Sequence, residues 1–139
     1  MSELSLHHVG HVVRSIDDFL SRWRLALGVV PASEIVEDPI QQVKAVFVSL
    51  PPEGSVQFEL IEPAGPKSPV RNFAERGGGL HHMCFEVDDL EQQLEHMKSL
   101  KATLVRAAQP AVAFGGRRIA WVHLRENLLL EYLERSPKL

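Results

Sequence analysis

HHMCFEVDDLE, residues 81–91, decides the reading of this chain, because HHVGHVVRSIDD, residues 7–18, has nearly the same form. Each stretch opens with two histidines on an alternating run that suits a strand, then turns to acidic residues that suit a helix start. Working outward, each opening is answered downstream by a strand with one Glu between apolar neighbours. These are VQFELIE at 56–62 and LLLEYLE at 128–134. His8 stands 51 residues before Glu59, and His82 stands 49 before Glu131. Such a repeat makes the halves structural equivalents and outweighs any single element boundary.

The elements between these strands follow the same order twice. After the first strand (Ser5 to Val13), Ile16, Phe19, Leu20, Trp23 and Leu27 recur at helical spacing, with Ser15 as N-cap and Gly28 as stop. A short strand near 33–36 is less distinct; VKAVFVSL (43–50) and SVQFELIE (55–62) then read as two strands joined across the turn PPEG. PAGPKSPV (63–70) is too proline-rich for regular structure, and RNFAERGGG (71–79) reads as a short helix ending in glycines. In the second half, His81 to Val87 is a strand, and Asp88 or Asp89 caps a helix to about Leu100. A short strand is expected at 103–106, FGGRR (114–118) is a tight loop, and strands follow at 119–124 and 128–133. The expectation is an α+β protein of two β-α-β-β-β modules in one domain over 1–139, with module 1 at about 5–62, a linker at about 63–79 and module 2 at about 80–135.

Composition narrows the function classes. At 45% hydrophobic and 24% charged, the 139 residues can bury a sizeable core, and nothing reads as disordered. A formal charge of -3 with scattered Lys and Arg gives no footprint for nucleic acid or an anionic membrane. One cysteine, Cys84, excludes an internal disulfide. With no apolar leader and no long apolar run, the expected place is the cytoplasm.

Side chains alternate across a strand, so His8 shares a face with Gly10 and Val12, while His7 goes with His11. Aligning HVG with HMC pairs His8 with His82. A Glu set among apolar residues is costly to bury unless paired, hydrogen-bonded or metal-bound, and Glu59 and Glu131 occupy matching places in the repeat. His8, Glu59, His82 and Glu131 are therefore the candidate metal ligands. Two imidazoles and two carboxylates without thiolate suit Mn, Co, Ni, Zn or Mg. His11, His96 and His123 read as ordinary core or surface histidines, and Cys84 as a small core residue. Arg117 and Arg118 are the best candidates among the arginines to meet an anionic substrate group, because FGGRR adjoins the last two strands.

With these residues in view, the chain resembles the vicinal oxygen chelate (glyoxalase-like) superfamily, whose paired β-α-β-β-β modules form a cupped mixed sheet around a divalent metal. Within it, HHVGHVVRSIDD and GGGLHHMCFEVDDLE are similar to the module openings of methylmalonyl-CoA epimerases, and VQFELIEP and LLLEYLE to their carboxylate-bearing strands. The resemblance covers essentially the whole chain and implies ligands at His8, Glu59, His82 and Glu131, and a homodimer. In some epimerases the position of Glu59 holds Gln, whereas the related glyoxalase I enzymes have Glu. Two departures stand out: VKAVFVSL lacks the carboxylate that such epimerases use as one of two bases, and HLRENL replaces a proline- and glycine-containing stretch before the last strand.

The implied activity is epimerisation of a methylmalonyl-CoA-like acyl thioester through a metal-stabilised enolate, with Glu131 as one base and Lys44 as the second. Two alternatives remain at this point. One is a glyoxalase I-like lyase or isomerase acting on thiol hemithioacetals; the other is a non-catalytic cup that binds a small molecule.

Overall fold

The computed structural model describes residues 3–52, 56–125 and 127–135. Part of the expected PPEG turn, the expected strand start at Ser55, and Glu126 of the HLRENL loop lie outside these residues. Among the described residues are nine strands and three helices, an α+β architecture, and the chain divides into two compact units. One is His8–His81; the other combines Met1–His7 with His82–Leu139. No described helix is long and apolar enough to cross a membrane.

The His8–His81 unit is built on β1 (Ser5–Val12), β5 (Gln57–Pro63) and β4 (Val43–Ser49). β5 runs parallel to β1 and antiparallel to β4. β4 also pairs with β2 (Val30–Pro31) and β3 (Val36–Asp38). Alternation divides the strands between two faces. Val46, Val48, Phe58 and Leu60 pack on Ile16, Phe19, Leu20 and Trp23 of α1 (Ile16–Leu27). Val12, Val43 and Ile61, on the other face, pack against Val70 and against Phe73 and Ala74 of α2 (Arg71–Glu75).

Two oxygen acceptors satisfy the start of α1. Ser15 Oγ accepts from the Asp18 amide at 3.3 Å, as the sequence predicts, and Glu62 of β5 accepts from the Ile16 amide at 2.9 Å. The second contact ties the helix to the sheet.

The other unit repeats the plan. β6 (Gly79–Val87) runs parallel to β9 (Leu128–Glu134), β9 antiparallel to β8 (Arg118–Leu124), and β8 antiparallel to β7 (Thr103–Pro110). Val87, Ala120, Val122, Leu130 and Tyr132 pack on Leu90 and Met97 of α3 (Leu90–Ser99). Cys84, Ile119 and Leu133 form the opposite face, together with Ala111. Of the two candidate caps, Asp89 fills the role, accepting from the Gln92 amide at 2.9 Å. Asp88 instead receives Arg135 at 2.8 Å.

The expected boundaries shift at several strands; β6 begins at Gly79 rather than His81, and β8 at Arg118, the last residue of the expected FGGRR loop. β3 lies at Val36–Asp38 rather than 33–36, β2 at Val30–Pro31 was not anticipated, and β7 runs on to Pro110 instead of ending at 106. RAAQP lacks the β-branched residues that mark a strand; register shifts around Arg106 and Gln109 let pairing with β8 continue through it.

Candidate functional site

Each unit brings one histidine and one glutamate together, and does so in the same register. In the first, Gly10 is the partner of Glu59 across the parallel pair β1–β5; in the second, Cys84 is the partner of Glu131 across β6–β9. Each Glu thus stands opposite the residue two places beyond its His, and the alternation of side chains puts both on one face. His8 Nε2 lies 3.4 Å from Glu59 Oε1, and His82 Nε2 lies 3.2 Å from Glu131 Oε1. All four residues are buried.

These separations bear on what the pairs can hold. Charge-assisted N–H···O hydrogen bonds fall at roughly 2.7–2.9 Å. Two donors bound to one ion at about 2.1 Å stand roughly 3.0 Å apart at a right angle and roughly 3.4 Å apart at a tetrahedral angle. At 3.4 and 3.2 Å, each pair has the spacing of neighbouring ligands. Buried imidazole and carboxylate also form a donor set suited to a divalent ion of borderline or hard character, so the residues present fit the implied metal.

An aromatic ring braces each histidine. Phe47, paired with Glu59 across β4–β5, meets His8 edge-on with centroids 5.2 Å apart; Trp121, paired with Glu131 across β8–β9, meets His82 edge-on at 4.6 Å. Each ring fixes the plane of its imidazole and keeps apolar surface beside it. Sequence reasoning passed over both residues, although AVFV (45–48) and IAWV (119–122) carry the signal as a second match within the repeat.

The remaining candidates are placed differently from one another. Lys44 is in register between Glu37 of β3 and Glu62 of β5, on the face that carries Val46 and Val48. That is the α1 side of β4, whereas Phe47 and Glu59 share the other side, so Lys44 is not brought to the His8–Glu59 pair. It lines a surface groove with Asp17, Glu37 and Glu62. Arg118 also faces a helix, binding Glu134 at 2.6 Å and Glu91 of α3 at 2.7 Å, and its hydrogen bond to Glu91 holds that carboxyl below its ordinary pKa. It serves as a clasp between β9 and α3.

Arg117 is different. It binds Glu86 at 3.1 Å and lies over the Phe114 ring at 6.0 Å. Glu86 follows His82 and Cys84 on the same face of β6, which puts the guanidinium on the His82 side of its unit. Phe114 in turn meets His7 edge-on at 5.5 Å. Elsewhere, His11 packs between Phe19 and Trp23, His123 lies 3.4 Å from Asn127, and Cys84 is fully buried in an apolar cluster.

Comparison with known proteins agrees with this geometry. Residues 7–121 match the family model of the Glyoxalase/Bleomycin resistance protein/Dioxygenase superfamily. The chain is 28% identical over 124 residues to the ethylmalonyl-CoA/methylmalonyl-CoA epimerase of Cereibacter sphaeroides, covering 87% of this chain and 89% of that protein. It is 32% identical over 136 residues to the mitochondrial methylmalonyl-CoA epimerase of Dictyostelium discoideum, covering 94% and 78%. The crystal structure of methylmalonyl-CoA epimerase from Mycobacterium tuberculosis superposes with a TM-score of 0.81 at 24% identity, over 95% of this chain and 88% of that one. Doubled topology, matched His–Glu registers and these similarities together place the chain in the glyoxalase/bleomycin resistance/dioxygenase superfamily, with epimerases among its relatives.

Proposed function

We propose that the His8–Glu59 and His82–Glu131 pairs share one divalent ion in a single domain, and that the protein epimerises malonyl-type acyl thioesters such as methylmalonyl-CoA. The observation that carries this reading is the identical register of the two pairs, Gly10 with Glu59 and Cys84 with Glu131. The names of the relatives supply the substrate class. A divalent ion, when bound, supplies Lewis-acid stabilisation of the charge that develops on the thioester carbonyl as the α-proton leaves.

In this reading the chain's own residues divide the remaining work. His8 and His82 orient the site, their planes fixed by Phe47 and Trp121. Glu131 takes the α-proton onto a carboxylate oxygen, and inversion needs a proton returned to the opposite face of the same carbon. With Lys44 on the α1 side of β4, the proposed donor of that proton is Glu59 in its protonated form, the residue that the register equates with Glu131, so that a turnover begins with Glu131 ionised and ends with Glu131 protonated and Glu59 ionised. Arg117, held by Glu86, is the proposed partner of the substrate's free carboxylate. Pairing into a homodimer and residence in the cytoplasm belong to the same proposal; light scattering of the purified protein tests the first.

The test is solvent deuterium exchange at the α-carbon of methylmalonyl-CoA, using protein stripped of metal and reloaded with Co, Mn, Ni or Zn. Exchange that needs the ion and is lost in Glu131→Gln is the expected result. Absence of exchange with every ion would remove the epimerase reading.

One observation favours a second reading. The face of β4 shared with Phe47 carries Val43, Ala45 and Ser49 and no carboxylate, while Glu59 stands beside it. A carboxylate pair without a further base also suits isomerisation of a thiol hemithioacetal. Turnover of that substrate without exchange at the acyl α-carbon would select it.

A further inference from the structure

A groove of about 510 Å³ opens on the His8–His81 unit between the ends of β1 and β5 and the short helix α2, with Arg14, Pro63, Arg71 and Glu75 among its lining residues. Both guanidinium groups are held from behind. Arg14 donates from Nε to the Ala74 carbonyl at 3.1 Å and from Nη2 to the Glu75 carbonyl at 2.7 Å. Arg71 donates from Nε to the Glu75 carboxylate at 3.1 Å and from Nη1 to the Pro66 carbonyl at 3.3 Å. Among the described residues, Arg14 Nη1 and Arg71 Nη2 have no partner. Two planar donors, oriented in advance and opposed by a single carboxylate already engaged with one of them, leave the groove positive in a chain whose formal charge is -3. Guanidinium edges recognise carboxylate and phosphate, and a diphosphate carries enough acceptor oxygens to meet two of them at once.

Placement adds a second argument. α2 packs on Val12 and Ile61, the face of the sheet that carries His8 and Glu59, so the groove lies on the same face. β1 and β5 run parallel, and the groove sits at the C-terminal end of both. At a rise of about 3.3 Å per residue, Arg14 lies roughly 20 Å along the chain from His8, and Pro63 roughly 13 Å from Glu59. An extended pantetheine arm has that reach.

We propose that this groove is an anion subsite that takes the diphosphate of a nucleotide-bearing thiol carrier, gripped by the free edges of Arg14 and Arg71. The identity of the carrier rests on the acyl-thioester reading above; the anion chemistry of the groove does not. Such a site would act on substrate capture and leave the proton transfer alone.

Isothermal titration with coenzyme A, ADP and inorganic pyrophosphate tests this on the metal-loaded protein, its Arg71→Met variant and its Glu75→Gln variant. Both changed side chains are substantially exposed, and a thermal melt checks that each variant is folded. Arg71→Met is expected to weaken coenzyme A binding about tenfold or more, and Glu75→Gln to tighten it. In turnover, Arg71→Met should raise KM with kcat unchanged. Coenzyme A affinity equal in all three proteins would overturn the proposal, and if α-carbon exchange persisted the epimerase reading would survive without it. ADP or pyrophosphate binding that depends on Arg71, with no binding of coenzyme A, would assign the groove to a free nucleotide and overturn the carrier. No binding of any of the three would overturn the site itself.

Discussion

His11 sits three residues from His8 on the same strand and has an unrelated use, because an odd step along β1 turns its ring toward α1. The ring lies between Phe19 at 5.0 Å and Trp23 at 5.5 Å, and Nδ1 is buried without a hydrogen-bond partner. Burial holds its pKa below the ordinary histidine value. The unfolded chain therefore takes up the proton more readily than the folded one. The stability that follows is present above the unfolded pKa, near 6.5, and is lost as pH falls from there through the lower folded value. The melting temperature should drop between about pH 7.5 and about pH 5.5, and the drop should be smaller in His11→Phe, which keeps the ring and removes the titration. An equal drop in both proteins would show that His11 is not the group responsible. The same parity explains which site residues were legible. His8, Glu59, His82 and Glu131 were singled out because a repeat and a two-residue period are both written in the sequence. Phe47 and Trp121 look like any strand aromatic. Arg117 and Arg118 are neighbours whose faces depend on where β8 begins, and Lys44 is sorted by the Phe47–Glu59 register, set across a turn whose geometry the sequence does not specify.

At the scale of elements, helix caps were more readable than strand ends. Ser15, Gly28 and Asp89 hold the places that their chemistry assigns, since each meets a local need of the backbone. Glu62 was missed as the acceptor for Ile16 because it is 46 residues away, a contact that only the folded sheet creates. Gly78 is fixed by a tertiary demand of the same kind. It has φ +70°, and a Cβ there would overlap the carbonyl oxygen of Val12, so the glycine lets the chain leaving α2 close onto β1. Gly78→Ala should cost about 1–3 kcal/mol from backbone strain and forced displacement of the β1 backbone. Urea denaturation measures it, and a loss below about 0.5 kcal/mol would show that the contact can relax freely. Gly77 and Gly79, where an added methyl would touch nothing, offer a comparison in which only the positive φ contributes.

The whole molecule is one plan used twice, and each half carries one His–Glu pair. One imidazole and one carboxylate make a weak and unselective ligand pair, so the functional claim depends on the two pairs acting as one centre. The sequence made the two pairs legible by repeating its motif. It did not reveal the Arg117–Glu86–Phe114 cluster, because that arrangement forms only when the 3-10 turn at Val112–Phe114 folds against β6. The most direct measurement is the stoichiometry of Co or Mn binding by titration calorimetry on the metal-stripped protein, with His8→Ala and His82→Ala taken separately. One ion per chain is expected, with loss of that ion from either variant, although each change touches only one of the two pairs. Two ions per chain, or tight binding that survives removal of either histidine, would contradict it.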